Sequence, residues 1–352
     1  RSTRARPVAA RLPLARRREW AGVRVGDVVR HANCQSKLAT FRNSPLMPSR
    51  QSLAARLLED RHFLGLVFML PAAVLLLLFL TYPLGLGTWL GFTDTKIGRD
   101  GVFVGIENFQ FLWGDEVTRL ALFNTLFYTT VASVIKFGLG LWLALLLNKH
   151  LPFKSFIRAI VLLPFIVPTA LSAIAFWWIY DAQFSIISWT LVKLGWIDRY
   201  IDFLGEPWLA RLSVIAANIW RGVPFVAICL LAGLQTISPS FYEAASLDGA
   251  TPWQQFRFVT LPLLTPIIAV VMTFSVLFTF TDFQLIYVLT RGGPLNATHL
   301  MATLSFQRAI PGGALGEGAA LATAMVPFLM AAILFSYFGL QRRAWQQGGQ
   351  DK

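Results

Sequence analysis

Charge is scarce in this chain. Only 14% of its 352 residues are Asp, Glu, Lys or Arg, 55% are hydrophobic, and the mean hydropathy is +0.57. A soluble protein of this length needs a charged shell that is missing here, whereas runs of about 20 mostly apolar residues suit a bilayer. Cysteine is nearly absent. Cys34 lies in an Arg-rich N-terminal stretch and Cys229 in an apolar run, a placement that argues against a disulfide. His31, His62, His150 and His299 are scattered without metal-ligand spacing, so no metal site is expected. No Gly-x-x-x-x-Gly-Lys-Ser/Thr loop occurs, and no nucleophile stands beside a base. Catalytic residues and a bound cofactor are therefore not expected on this chain, and an enzyme is not the expected class.

The net charge of +13 would suit nucleic-acid binding if it were clustered on a folded surface, but 14 of the 31 Lys and Arg precede residue 62. Residues 1–62 read as a basic cytoplasmic tail, with Arg16-Arg17-Arg18 and little apolar periodicity. A secretory signal would need an apolar core there, and none is present. Met47 opens a short polar lead-in to the first apolar run, so residues 1–46 are expected to be disordered and dispensable, and not necessarily native.

Six apolar runs follow, at about 63–92, 120–147, 156–180, 209–234, 263–289 and 314–340. Each is long enough to span, and an even number puts both termini on one side. Lys and Arg in short flanks set that side. Arg50, Arg56 and Arg61 precede the first span, Lys149, Lys154 and Arg158 join the second to the third, and Arg342, Arg343 and Lys352 follow the last. The opposite loops, 93–119 and 181–208, are acidic on balance. Both termini and the 238–262 loop are therefore expected in the cytoplasm, with a six-span body over 63–341 and a C-terminal tail over 342–352.

That cytoplasmic connection is Pro- and Gly-punctuated, and it reads as two short helices with a sharp turn. Ser240-Phe241-Tyr242-Glu243 fits a capping box, with Pro239 setting the start. Ala244, Ala245 and Leu247 favour helix, and Gly249 suits a left-handed stop. Thr251-Pro252-Trp253-Gln254 forms a second capping box, and Leu261-Pro262 ends the element where the fifth span begins. A short helix of this kind, with small residues that permit close backbone approach, can insert into a groove on a partner. Any Ser-x-x-Glu would cap a helix equally well, so the tetrapeptide alone carries little.

The full spacing carries more. Glu243-Ala244-Ala245, then Gly249, then Val259-x-Leu261-Pro262 resembles the signature loop of permeases from binding-protein-dependent ATP-binding-cassette importers. Gly105-Ile106-Glu107-Asn108-Phe109, Asn124-Thr125, Leu163-Pro164, Val167-Pro168, Trp220-Arg221-Gly222-Val223-Pro224 and Arg291-Gly292-Gly293-Pro294 are similar to the sugar branch, in its maltose-type larger-permease class. Val259 replaces the more usual Ile, a conservative departure. The resemblance covers about residues 60–340 and implies the all-α type I importer fold of the bacterial inner membrane. It further implies that Glu243, Ala244, Ala245, Gly249, Leu261 and Pro262 couple the chain to an ATPase. ATP and Mg would sit on that partner. The expected assembly holds a second homologous permease, two ATPases and an extracytoplasmic solute-binding protein, with no nucleic acid.

Ionisable residues within spans are costly and face the protein interior. Arg221, beside Gly222 and Pro224, and Asp282, near Gln284 and Tyr287, are therefore candidates for a substrate path, with Trp220 and Tyr287 supplying aromatic faces for sugar rings. The alternative is a structural ion pair, Arg221 with Asp282 or Lys136 with Asp282. A secondary transporter and a membrane-embedded enzyme are the rival classes. The first would show inverted repeats and the second a catalytic constellation. The sequence leaves the cargo open among a sugar, a polyol, a disaccharide and glycerol phosphate.

Overall fold

The computed structural model describes residues 61–149 and 152–348. The expectations for the basic tail, apart from its last two residues, lie outside the described residues, as do 349–352. The chain divides after Leu75 into two units. The first contributes all but the last residue of α1 (Arg61–Leu76), which contains Pro71 and has no buried residue. A helix apolar all round suits a lipid environment.

The second unit begins with a π turn, Leu77–Thr81, followed by α2 (Tyr82–Leu90). A loop with two isolated β bridges leads to α3 (Glu107–Gly114) and the long α4 (Glu116–Asn148). Next come α5 (Lys154–Ile166), α6 (Thr169–Ile179), α7 (Ile186–Lys193) and the long α8 (Pro207–Thr236). The loop region holds α9 (Pro239–Leu247), α10 (Pro252–Gln255) and a second π turn, Phe256–Thr260. Then follow α11 (Leu261–Phe280), α12 (Gln284–Leu289), α13 (Met301–Ala309) and α14 (Leu315–Gly348). The last helix thus runs past the expected start of the C-terminal tail.

Among the described residues, five helical stretches are long and apolar enough to cross a membrane, at 61–90, 116–148, 207–236, 252–289 and 315–334. The third expected span is not one straight helix. It is the pair α5 and α6, bent by 87°. Val167 takes an extended backbone (φ −61°, ψ 130°), the conformation a following proline imposes, and Pro168 has no N–H to continue the ladder. Counting that pair once gives the six spans expected. The fifth span also departs from a straight rod, breaking at Thr281–Phe283 before α12.

Three helices form the centre. α4 and α8 run parallel, paired from Asn124–Arg211 (Nε to Oδ1, 3.0 Å) to Gly140–Val226. A Cβ on Gly140 would sit 2.6 Å from Val226 Cγ1, so only glycine permits that approach. α11 runs antiparallel to both. Its Leu264 and Ile267 face Gly233, and its Thr279 accepts from Lys136 Nζ at 2.6 Å. One apolar cluster, around Leu147, Leu230 and Leu264, packs the loop-bearing end. Two others, around Tyr128 with Leu285 and around Ala121 with Leu321, pack the opposite half.

At that opposite end, side chains that the sequence marked as family-like act as staples. Asn108 Nδ2 donates to the carbonyls of Gly91 (2.9 Å) and Thr93 (2.8 Å). Asn124 Nδ2 donates to the His299 carbonyl (3.1 Å), and Thr125 Oγ1 accepts from the Met301 N–H (2.9 Å). Asp115 caps α4 by accepting from the Thr118 N–H (2.8 Å), and Arg308 bridges Asp115 and Glu317.

Candidate functional site

Two regions concentrate the candidate residues. The first is the loop. α9 starts on Ser238, whose Oγ accepts from the Ser240 N–H at 3.4 Å, with Pro239 at the first helical position. This corrects the expected cap at Ser240. Proline's fixed φ and missing N–H belong at the first helical position, so the cap is the residue before it. Glu243 is consequently not part of a capping box. Its side chain is exposed and makes no hydrogen bond or ion pair with a described residue. Ala244 is exposed and Ala245 half-buried. Gly249 turns the chain at φ +79°, where an L side chain is strained.

The second capping box forms as the sequence predicts. The Gln254 side chain accepts from the Thr251 N–H (2.7 Å), and Thr251 Oγ1 accepts from the Gln254 N–H (3.4 Å). The element it opens does not end at Leu261-Pro262. It passes through the π turn straight into α11, with the Leu261 N–H donating to the Phe256 carbonyl. The same arrangement precedes Pro83, where the Tyr82 N–H donates to Leu77. A proline next in line cannot donate and crowds the carbonyls behind it, and the wider π turn accommodates both effects.

Across the hinge, Tyr242 Oη and Thr260 Oγ1 are 3.0 Å apart, and Gln255 Nε2 donates to Ser246 Oγ at 2.9 Å. These bonds tie α9 to the start of the fifth span. The loop also displays Leu247 at 90% exposure and Trp253 at 66%. Apolar side chains presented that openly on a polar, well-capped loop suit a protein partner.

The second region is a cavity of about 460 Å³ at the mid-height of α4 and α8. It lies where the other two helix lines break, beside Phe165 and Thr169 of the bent pair and Thr281–Phe283 of the fifth span. Its volume falls in the range of small-molecule sites. Arg221, Asp282 and Gln284 line it, together with Lys136 and Asn218. Trp220 and Tyr287 are not among the lining residues, which corrects that part of the expectation. Trp220 is one position from Arg221, about 100° round the helix, and its ring meets Phe176 edge-on at 5.3 Å. Tyr287 packs on Phe283 and Phe306 instead.

Neither expected ion pair forms. The Asp282 carboxylate instead accepts at Oδ2 from Tyr128 Oη (2.7 Å) and Asn218 Nδ2 (2.9 Å). Its Oδ1 accepts from the Leu285 N–H (3.4 Å) in the first turn of α12. Lys136 is buried at 3% exposure with its stem against Gly222. Discontinuous helices that free backbone and polar groups around a midplane cavity are a transporter's means of holding cargo.

Residues 136–346 match the family described as the binding-protein-dependent transport system inner membrane component. The chain belongs to this family. The permease is 34% identical over 257 residues to the trehalose/maltose transport system permease protein MalF of Thermococcus litoralis, a match covering 72% of this chain and 86% of the relative. It is 32% identical to the sulfoquinovosyl glycerol transport system permease protein SmoG of Agrobacterium fabrum, over 78% of this chain and 88% of that one. Its fold resembles that of a bacterial ABC transporter involved in the import of the acidic polysaccharide alginate (TM-score 0.70, 24% identity, 80% of this chain and 96% of that chain). A second crystal structure is of a bacterial alginate ABC transporter in complex with an alginate pentasaccharide-bound periplasmic protein (TM-score 0.68, 26% identity, covering 78% and 93%).

Sequence reasoning missed Asn218, which lines the permease cavity, and Tyr128, which holds Asp282 from behind it. Both are mid-helix polar residues, and Asn218 lies one turn before Arg221, a spacing that marks a shared face.

Proposed function

We propose that this permease forms the transmembrane path for a carbohydrate or related polyol in a multi-subunit importer. The named relatives support the cargo class, and the cavity's mixture of hydrogen-bonding and aromatic groups suits hydroxyl-rich ligands. Arg221, Asp282 and Gln284 belong to the path. Glu243, Ala244, Ala245, Gly249, Leu261 and Pro262 belong to the coupling surface, which faces the cytoplasm together with both termini. ATP and Mg are handled by two partner ATPases. A second homologous permease completes the pathway, and an extracytoplasmic binding protein delivers the solute.

The observation that carries this reading is the loop. Its exposed Leu247 and unpartnered Glu243 sit on a helix bonded through Tyr242 to Thr260, and so to the root of the fifth span. A push on α9 is thereby passed to α11. The test is Ala245→Trp and Gly249→Val in the co-expressed complex, read by ATPase co-purification and by uptake of labelled carbohydrates. Loss of the ATPase or of uptake, with binding-protein docking intact, is the expected result. Wild-type uptake with the ATPase retained in both variants would sink the coupling assignment.

A further inference from the structure

The cavity holds more positive than negative charge, and its walls do not neutralise the excess. Lys136, Arg221 and Asp282 are its ionisable lining residues. The Asp282 carboxylate is already engaged by Tyr128, Asn218 and the Leu285 N–H, all from the cavity's own helices. Neither cation pairs with it. The ion pairs among the described residues are Arg99–Asp94, Arg308–Asp115 and Arg308–Glu317, all away from the cavity. Lys136 donates to Thr279 Oγ1, a neutral partner. The Arg221 guanidinium has no hydrogen-bond partner among the described residues, and its Nε is buried without one. Two cations thus face one carboxylate, a formal excess of one positive charge.

Inside a membrane protein such a cation is ordinarily paired, because its desolvation is expensive. A guanidinium left open on a formed cavity offers a planar fork of N–H donors that matches an oxyanion with two parallel bonds. A neutral sugar would leave that fork unmatched. We propose that the ligand of this cavity is a carbohydrate or polyol carrying one acidic group, a carboxylate, sulfonate or phosphate, bound by Arg221 with Lys136 as the second positive charge. The inference rests on the carbohydrate-path reading and narrows it. Charge of one sign in a low-dielectric cleft also raises the local concentration of the opposite sign, by about 10- to 1,000-fold in favourable cases.

The test uses the full complex with its second permease and ATPases in nanodiscs. Calorimetry compares maltose with maltobionate, its carboxylate counterpart, and with glycerol 3-phosphate. At least one acid is expected to bind at least about tenfold more tightly than maltose. Arg221→Gln is expected to abolish the preference and Arg221→Lys to retain part of it, since lysine keeps the charge and loses the fork. Maltose binding as tightly as both acids would overturn the proposal and leave the carbohydrate reading standing. So would an acid preference that survives Arg221→Gln, which would put the recognising charge elsewhere, including on the second permease. Binding of no probe at all would remove both readings. Should Arg221→Gln fail to assemble, salt titration of the wild type decides: affinity for the acid must fall as salt rises while that for maltose holds, and a flat response for both overturns the proposal.

Discussion

Tyr128 and Asp282 meet across 154 positions of sequence, with the phenol donating to Asp282 Oδ2 at 2.7 Å in the interior of an apolar bundle. Asn218 Nδ2 shares that oxygen at 2.9 Å. One carboxylate therefore joins α4, α8 and the break between α11 and α12, the elements that wall the cavity.

Removing that acceptor should loosen all three. Asp282→Ala leaves the buried Tyr128 hydroxyl and the Asn218 amide without their partner, at a cost of about 1–3 kcal/mol for each unsatisfied group. Asp282→Asn keeps an acceptor of the same shape. The expected outcome is a clear fall in the melting temperature of the detergent-solubilised complex for Asp282→Ala and a much smaller one for Asp282→Asn. Equal melting temperatures for Asp282→Ala and the wild type would show that this triad does not hold the cavity together.

Gly222 tests the neighbouring wall. A Cβ there would run into the Lys136 side chain, so Gly222→Ala must displace the Lys136 stem and break the bond to Thr279. Overpacking of this kind costs about 1–3 kcal/mol. Shortening the obstacle should relieve it, so Gly222→Ala combined with Lys136→Ala should be more stable than the two single costs added. A strictly additive double-mutant cycle would deny the contact.

Much of the loop was legible because its signals are local. Gly249, Thr251, Pro252 and Gln254 each dictate backbone geometry within a few residues, and they do so as the sequence predicts. Two local readings failed: Ser240 in place of Ser238 came from weighting the Ser-x-x-Glu spacing above the position of Pro239, and the stop expected at Leu261-Pro262 came from taking that proline as an end where the π turn carries the helix through it. The cavity was legible only in part. Arg221 and Asp282 stand out as intramembrane charges, but partner choice depends on which faces of three helices converge. Hydropathy also read 156–180 and 263–289 as continuous spans, because a helix break at Val167-Pro168 or at Thr281–Phe283 leaves a run's average polarity unchanged. Those breaks create the space that the cavity occupies.

The end of the bundle away from the loop should respond to acid. Burial works to raise the Asp115 carboxyl, but the bonds from the Thr118 hydroxyl and N–H, together with the Arg308 guanidinium, outweigh it and hold the group below its usual 3.8. A carboxyl depressed in the folded state adds stability that is complete above its unfolded value, about 3.9, and is lost as pH falls through the folded one. Hydrogen exchange at the α4 start and in α13 should therefore stay constant from pH 7 down to about 4 and rise below it, after correction for the intrinsic rate. Asp115→Asn should flatten that rise. An unchanged acid profile in Asp115→Asn would assign the response to another group.

Pro262 offers the sharpest test of the proposal that motion leaves the loop through the fifth span. Its missing N–H accompanies the π turn at Phe256–Thr260, and that turn sets the angle at which Thr260 meets Tyr242. Pro262→Ala restores a donor and removes the ring that crowds the preceding carbonyls. The turn should then relax toward α-helical spacing, rotating α10 about the axis of α11 and pulling Thr260 away from Tyr242. If the proposed coupling holds, Pro262 serves it at the root of the fifth span and not as a docking side chain, so with Leu247 and Glu243 untouched the ATPase should still bind and still hydrolyse ATP. Transport per ATP hydrolysed in proteoliposomes should fall, and a disulfide engineered between positions 242 and 260 should form less readily. Tyr242→Phe removes the same hydroxyl bond without altering the backbone, so it should produce a smaller loss in the same direction. If Pro262→Ala keeps the wild-type ratio of transport to hydrolysis, the π turn is a passive adjustment to proline and coupling runs through another contact.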